Sequence, residues 1–493
     1  MTQQQALDIL KLGYNVYLTG PAGSGKTYLL NKYIEYLKEH KIPVGITAST
    51  GIAATHMSGT TIHSWVGMGI KDSMNAAEIA DLFKRQYLRK RFLHTKVLII
   101  DEISMLHGFR LDLVHQICST FHRNDLPFGG MQVIMCGDFF QLPPVTKFEK
   151  KENSVIPSSS VIPEKNETRH AEFISASSCH SHENGNLYEK IPDQVRNDKN
   201  CPEFVTDSEI WKKMRLKICY LDEQHRQDDR AFLRVLNDIR NSEVNEMTVE
   251  YLSERLDKKI EGYSKPTKLF THNTDVDAIN TKHLNELTGE AHEYFMSSRG
   301  SVGLTQILRK SCLAPEKLVL KMGAQVMFVK NNYEVGYVNG TLGEVIGFDK
   351  EDHPIVRTFD GKEIVVMQAA WEVKEEEIEK AAISQLPLRL AWAITVHKSQ
   401  GMSLDAAEID LSRSFIPGMG YVALSRIRSL SGLKLMGMNQ MALLVNPDIA
   451  KLDREFILAS HEAASELHSL GEEKKMQMQK EYLEYLLGLD ARQ

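Results

Sequence analysis

The sequence predicts an α/β fold: two parallel-sheet domains, with a small β-barrel inserted in the second. Three observations carry this expectation. The chain has 493 residues, more than one hydrophobic core ordinarily organises. Short apolar runs alternate with segments of helical periodicity, the signature of a parallel sheet covered on both faces. One stretch of the second half, residues 297–376, drops that alternation and fills with strand and turn signals.

The elements follow in order. Val16-Tyr17-Leu18, Val44-Gly45-Ile46, Val97-Leu98-Ile99-Ile100 and Val133-Ile134-Met135 read as buried strands. After the first of them, Leu29, Leu30, Tyr33, Ile34 and Leu37 recur at helical spacing. These elements define a first domain over residues 1–150. Over residues 151–202 periodicity disappears and Ser, Asn, Glu and His crowd in, which reads as an insertion without a core of its own. Cys179, His180 and His182 within it are metal-ligand types, but three such residues in a polar loop do not make a site. A second α/β pattern starts near Trp211, so 203–296 and 377–470 are expected to form the second domain around the 297–376 insert. In that insert, Gln325-Val326-Met327-Phe328-Val329 and Ile364-Val365-Val366-Met367 read as strands, with turns at Asn339-Gly340 and Asp360-Gly361. Residues 471–493 read as a charged, solvated helical tail.

Composition narrows the class. Hydrophobic residues make up 42% and charged residues 25%, as in a soluble globular protein. The net charge is −6, so any nucleic-acid site has to be a local groove rather than a global basic field. No apolar run approaches the roughly 20 residues that span a bilayer. Met1-Thr2-Gln3-Gln4-Gln5 lacks the regions of a secretion signal. The six cysteines, Cys118, Cys136, Cys179, Cys201, Cys219 and Cys312, are scattered, so the cytoplasm is the expected setting.

Gly20-Pro21-Ala22-Gly23-Ser24-Gly25-Lys26-Thr27 fits GxxxxGK[ST], following a strand and opening an amphipathic helix. In that setting the glycines let backbone N–H groups curl around phosphate oxygens, and the helix N-terminus favours negative charge. Lys26 is expected to reach the β- and γ-phosphates of ATP, and Thr27 to hold Mg²⁺. A glycine turn before a helix is the plainer reading, but it does not require this register. Asp101 and Glu102 emerge where the Val97–Ile100 strand ends, at the edge where open α/β sheets bind ligands. Asp101 is the expected second Mg²⁺ anchor, and Glu102 the group that orients or deprotonates the attacking water.

The remaining motifs suggest the task. They are Thr47-Ala48-Ser49-Thr50-Gly51-Ile52-Ala53-Ala54, Gly59-Thr60-Thr61-Ile62-His63-Ser64, and Gly137-Asp138-Phe139-Phe140-Gln141-Leu142-Pro143-Pro144. Near the far end come Ala393-Ile394-Thr395-Val396-His397-Lys398-Ser399-Gln400-Gly401 and Tyr421-Val422-Ala423-Leu424-Ser425-Arg426. In this order they resemble superfamily-one helicases, and most of all the PIF-type (petite integration frequency) branch related to RecD, in its bacterial form. Leu111-Asp112 through Pro127-Phe128-Gly129-Gly130 carries the branch-specific part. The resemblance spans nearly the whole chain apart from the insertion and the tail.

The resemblance implies two RecA-like P-loop NTPase domains, an SH3-like barrel, and a wedge subdomain over about 64–92. It implies an ATP-dependent DNA helicase moving 5′ to 3′ on single-stranded DNA, with forked duplex as substrate and a monomer as working unit. DNA repair and recombination are the implied settings. Gln3 is placed as the adenine reader, Gln141 as the γ-phosphate sensor, Gly401 beside the nucleotide, and Arg226 and Arg426 as arginine fingers. Thr50, Thr61, His63, Thr395, His397 and Ser399 are placed on the strand backbone, where hydroxyls and imidazoles bond phosphates without reading sequence. Phe139 and Phe140 suit base stacking or core packing. A translocase that does not unwind would share every motif. A module that has lost catalysis would not be expected to keep Lys26, Asp101, Glu102, Gln141, Arg226 and Arg426.

Overall fold

The computed structural model describes residues 1–57, 59–69, 71–141, 204–223, 229–261, 266–270, 276–332, 334–375, 378–396, 399 and 402–488. The insertion expected at 151–202 lies outside these residues.

The first sheet contains β1 (Val16–Thr19), β2 (Val44–Ala48), β3 (Thr60–Thr61), β4 (Val97–Asp101), β5 (Gln132–Cys136) and β6 (Lys217–Tyr220). Its spatial order is β3-β2-β4-β5-β1-β6, and every pairing is parallel. Every residue of β1, β4 and β5 is buried, as a sheet covered on both faces requires. The core thus places the C-terminal ends of β1, β4 and β5 side by side, and the phosphate loop, the acidic pair and the Gly137 motif follow directly.

β6 corrects the expected domain boundary. It follows the insertion, yet it pairs with β1 from Val16↔Lys217 to Thr19↔Tyr220. The segment before β6 is also anchored to the first domain. Asp112, on the helix Gly108–His122, accepts from the Ser208 hydroxyl at 2.7 Å and from Ile210 N at 2.9 Å. Residues 204–220 therefore complete the first domain instead of opening the second. Asp112, part of the branch-specific signature, fastens the returning chain.

The expected wedge region consists largely of short helices, Ile62–Trp65, Ala76–Phe83 and Gln86–His94. They bury Trp65, Ile79, Leu82, Leu88 and Phe92, and Phe92 stacks on Phe121 with centroids 4.1 Å apart.

The second half begins with β7 (Thr267–Phe270), followed by β8 (His292–Phe295), β9 (Ser297–Gly300), β10 (Lys317–Leu320) and β11 (Gln325–Phe328). Next come β12 (Leu342–Phe348), β13 (Pro354–Thr358), β14 (Glu363–Val365), β15 (Ala369–Glu375), β16 (Ile378–Gln385) and β17 (Leu388–Leu390). β18 (Ala393–Thr395), β19 (Ala407–Leu411) and β20 (Leu433–Met438) close the series. A parallel sheet of order β18-β7-β19-β20 forms the second α/β layer. Between its strands lie a five-stranded antiparallel sheet, β14-β13-β12-β11-β17, and the three-stranded β15-β16-β9. This β region reaches from His292 to Leu390, beyond the expected 297–376 on both sides. It encloses its own core, with Leu318, Val326, Phe328, Val345, Val356 and Leu388 fully or almost fully buried.

The chain closes with the helices Pro447–Leu470 and Glu472–Leu486. Neither matches its expectation, because both pack on the first domain. Ser460 accepts from Tyr220 N at 3.0 Å, which satisfies an N–H on edge strand β6. In the expected solvated tail, Met478, Tyr482, Leu483 and Leu486 form an apolar stripe that joins the core beneath the N-terminal helix Gln3–Lys11. Lys475 pairs with Asp8 at 3.0 Å, and the Tyr482 hydroxyl bonds Gln132 at 3.3 Å. Among the described residues, no helix is long and apolar enough to cross a membrane.

Candidate active site

Gly20, directly after β1, has φ +137°, and a Cβ there would lie 2.3 Å from the Leu221 carbonyl oxygen. Only glycine lets the loop turn so close to the chain as it leaves β6. Gly25, at φ 83° and ψ 19°, opens the helix Lys26–Glu39. Lys26 Nζ donates to the carbonyls of Gly20 at 2.8 Å and Pro21 at 3.0 Å, and burial lowers its pKa. Ser24 Oγ is buried with no hydrogen-bond partner among the described residues. A folded-in lysine and an unsatisfied hydroxyl in a loop at a helix N-terminus suit an incoming phosphate.

The adjacent glutamines separate cleanly. Gln5 forms a capping box with Thr2, and Gln4 bonds Asp8 at 3.0 Å. Gln3 alone of the three turns to the phosphate loop, its Nε2 donating to the Ser24 carbonyl at 3.4 Å.

Asp101 is buried at the end of β4 and accepts from Glu102 N at 2.9 Å. Burial raises its pKa, opposed by hydrogen bonds from Glu102 N–H and the Cys136 thiol and by the charge of Lys26. Glu102 has left-handed backbone angles, φ 50° and ψ 42°, uncommon for a residue with a side chain. Its carbonyl accepts from the Ser49 hydroxyl at 2.6 Å, and Ser49 N donates to the Asp101 carbonyl at 3.0 Å. The stretch leading to Thr50 is thereby tied to both acids. Burial and then the charge of Asp101 raise the Glu102 pKa to about 7, while Lys26 and Arg426 pull it down. Glu102 Oε2 is buried with no partner among the described residues. A carboxyl poised near neutrality with an unoccupied oxygen has the properties of a general base.

Arg426, from the second domain, is 1% exposed and belongs to the field around Glu102. Its Nε donates to the Val422 carbonyl at 2.9 Å and its Nη2 to the Ser425 hydroxyl at 3.0 Å. Gln141 is buried at the end of the Gly137 motif, its N–H donating to the Asp138 carbonyl at 3.0 Å. Arg226, His397 and Gly401 lie outside the described residues. Thr27 heads the phosphate-loop helix, with its side chain exposed.

The expected strand contacts divide. Thr50 and Thr61 are partly exposed near the sheet edge and cap their own helical turns, bonding Ala53 N and Ser64 N at 3.3 Å each. His63 Nε2 is buried and unpartnered among the described residues. Burial, reinforced by Arg110, lowers the His63 pKa to about 4, leaving a neutral ring at pH 7. Thr395 and Ser399 depart from expectation, because both are buried and the Ser399 hydroxyl closes a turn onto the Val396 carbonyl at 2.7 Å. Phe139 and Phe140 are core residues and do not form a stacking platform. Phe139 packs among Tyr17, Trp211 and Phe456, and Phe140 against Tyr421.

The motif reading did not single out Arg240, which pairs in the interior with Asp138 and Asp453 at 2.9 Å each. The only sequence signal for it was an arginine closing an otherwise apolar helical stripe.

Known proteins match this arrangement. The family model PIF1-like helicase matches residues 3–165, and that of the DNA helicase Pif1 2B domain matches 304–348. An ATP-dependent DNA helicase Pif1 from a Psychrobacter species is 40% identical over 94% of this chain and 72% of its own length. The chain spans 62% of the Xenopus laevis relative, at 34% identity. The crystal structure of Bacteroides Pif1 in complex with ADP-AlF4 superposes with TM-score 0.74 at 29% identity, covering 92% of this chain and 96% of that one. A second Bacteroides structure, with ADP-AlF3 and single-stranded DNA, matches with TM-score 0.57 at 29% identity over the same shares.

Proposed function

This chain belongs to the PIF1-like helicase family, an ATP-dependent DNA helicase of two RecA-like domains with an inserted 2B domain, and we propose that it hydrolyses ATP where those two domains meet while stepping 5′ to 3′ along single-stranded DNA. The observation that carries this reading is the convergence of Lys26, Asp101 and Glu102 from the first domain with a buried Arg426 from the second.

The phosphate-loop amides and Lys26 hold the triphosphate, with Lys26 leaving its two loop carbonyls for phosphate oxygens. Gln3 reads the adenine edge. Thr27 and Asp101 would hold Mg²⁺, which when bound neutralises phosphate charge. Glu102 takes the proton of the attacking water, and Gln141 orients the γ-phosphate. Arg426, together with Arg226, offsets charge that develops on the transferred phosphoryl group. Thr50, Thr61 and the neutral His63 bond the strand backbone without reading sequence. Ser49, bonded to the backbone of both Asp101 and Glu102, joins that grip to the hydrolytic pair. The protein works as a monomer on forked duplex, in the cytoplasm at the nucleoid.

The deciding experiment is ATP hydrolysis with and without a single-stranded oligonucleotide, followed by unwinding of tailed duplexes of either polarity. Strong stimulation and unwinding from a 5′ tail are expected. Hydrolysis indifferent to DNA would remove the motor reading, and stimulation without unwinding would leave a translocase.

A further inference from the structure

The Gly137 motif and the helix leading to Arg426 meet on one buried guanidinium. Arg240, the last residue of the helix Arg230–Arg240, is 3% exposed. Its Nη1 donates to both Asp138 carboxylate oxygens, at 2.9 and 3.1 Å, and to the Tyr421 hydroxyl at 3.1 Å. Its Nη2 donates to Asp453 Oδ1 at 2.9 Å, and the Tyr220 hydroxyl donates to Asp453 Oδ2 at 3.1 Å. The guanidinium also lies 4.0 Å from the centroid of the Phe140 ring.

The partners span the nucleotide machinery. Asp138 precedes Gln141 by one turn and accepts its N–H at 3.0 Å. Tyr421 lies on the helix Met419–Leu424, which runs directly into Ser425 and Arg426. Stability alone explains this cluster poorly. Buried ion pairs commonly add little over apolar residues of the same shape. Here two carboxylates face one arginine, and Arg240 Nε is left buried with no partner among the described residues. A directional link between elements that must keep register is the better account.

We propose that Arg240 is a positioning residue for hydrolysis, holding the Asp138–Gln141 turn and the Tyr421–Arg426 helix in one register so that strand binding sets Gln141 and Arg426 together. It acts through Asp138 and Tyr421 and touches neither nucleotide nor DNA. The inference rests on the DNA-coupled hydrolysis proposed above.

The test compares the full-length protein with Arg240→Lys and Tyr421→Phe. A lysine keeps the charge but lacks the fork that serves Asp138, Tyr421 and Asp453 together. The readouts are melting temperature, KM for ATP, and kcat with and without a single-stranded oligonucleotide. Both variants are expected to fold and to keep KM and the DNA-free rate within about threefold. DNA-stimulated kcat should fall about tenfold for Arg240→Lys and about fivefold for Tyr421→Phe, in the usual range of coupling between sites. Full stimulation in a folded Arg240→Lys overturns the proposal. So does a proportional loss of basal and stimulated rates with early melting, the mark of a purely structural role. If Arg240→Lys does not fold, Tyr421→Phe decides by the same readings. A wild-type rate indifferent to DNA overturns this inference and the motor reading together, whereas a stimulated wild type with unaffected variants overturns this inference alone.

Discussion

The two parallel sheets carry the proposed nucleotide site differently. The six-stranded sheet presents Lys26, Asp101, Glu102 and Gln141 from the ends of three adjacent buried strands, a scaffold with little room to shift. The four-stranded sheet contributes Arg426 through a short helix, one step removed from any strand. In the proposed mechanism the hydrolytic groups thus stand on the six-stranded sheet, and the arginine that completes them comes from the four-stranded one. Under that proposal, hydrolysis is conditional on the two sheets meeting.

The sharpest way to break this comparison is Glu102→Gln. Loss of the proposed general base should cut turnover about 10⁴-fold, the upper range for acid–base catalysis, with ATP binding retained. Fluorescent-nucleotide binding beside steady-state hydrolysis checks both halves, and normal turnover would move water activation away from the first sheet. Next in size is Arg426→Ala, expected to lower DNA-stimulated kcat about 10²- to 10³-fold while KM for ATP changes little. A large rise in KM with kcat preserved would instead make Arg426 a ground-state binder and blur the division between the sheets.

Acidity gives a milder handle on the same pair. The Glu102 carboxyl titrates near 7, raised by burial, Asp101 and Asp138 and lowered by Lys26 and Arg426. The base form gains as pH rises through that value, so kcat/KM should climb about tenfold between pH 6 and 8. In Arg426→Ala the profile should move to higher pH, because a cation that favours the carboxylate is gone. A flat profile in the wild type, or an unmoved one in the variant, would separate Arg426 from the field of Glu102.

Local chemistry was legible in the sequence, and distant pairing was not. Gly20 through Thr27 and Asp101-Glu102 carry their setting with them, a strand before each, and Gln3 meets the phosphate loop while Lys26 lies in the field of Glu102. β6 was hidden because Lys217–Tyr220 is a four-residue strand whose partner β1 lies some two hundred positions away. The tail misled for a related reason. Its charged residues dominate the composition, while Met478, Tyr482 and Leu486 face a helix at the opposite end of the chain. Thr395 and Ser399 sit in a motif suited to strand contact, yet their burial depends on the packing around β18. Arg240 was invisible because an arginine ending an amphipathic helix is ordinarily solvated, and only the fold brings Asp138 and Asp453 to it.

The smallest expected effect tests whether the rigid side owes part of its rigidity to that terminal helix. Tyr482 packs so closely on Gly13 that a Cβ there would come within 2.5 Å of its ring, and its hydroxyl bonds Gln132. Lys475 and Gln479 hold the same N-terminal helix through Asp8. That helix carries Gln3 to the phosphate loop. Tyr482→Ala should cost about 1–2 kcal/mol, below the range for a fully buried aromatic because the ring is only half-buried. Loosening the helix should raise KM for ATP about two- to fivefold and leave kcat at saturating ATP unchanged, since the adenine contact proposed for Gln3 would serve ground and transition states alike. A fall in kcat at constant KM would show instead that the terminal helix reaches the hydrolytic groups themselves, through β6 and the loop beneath Gly20.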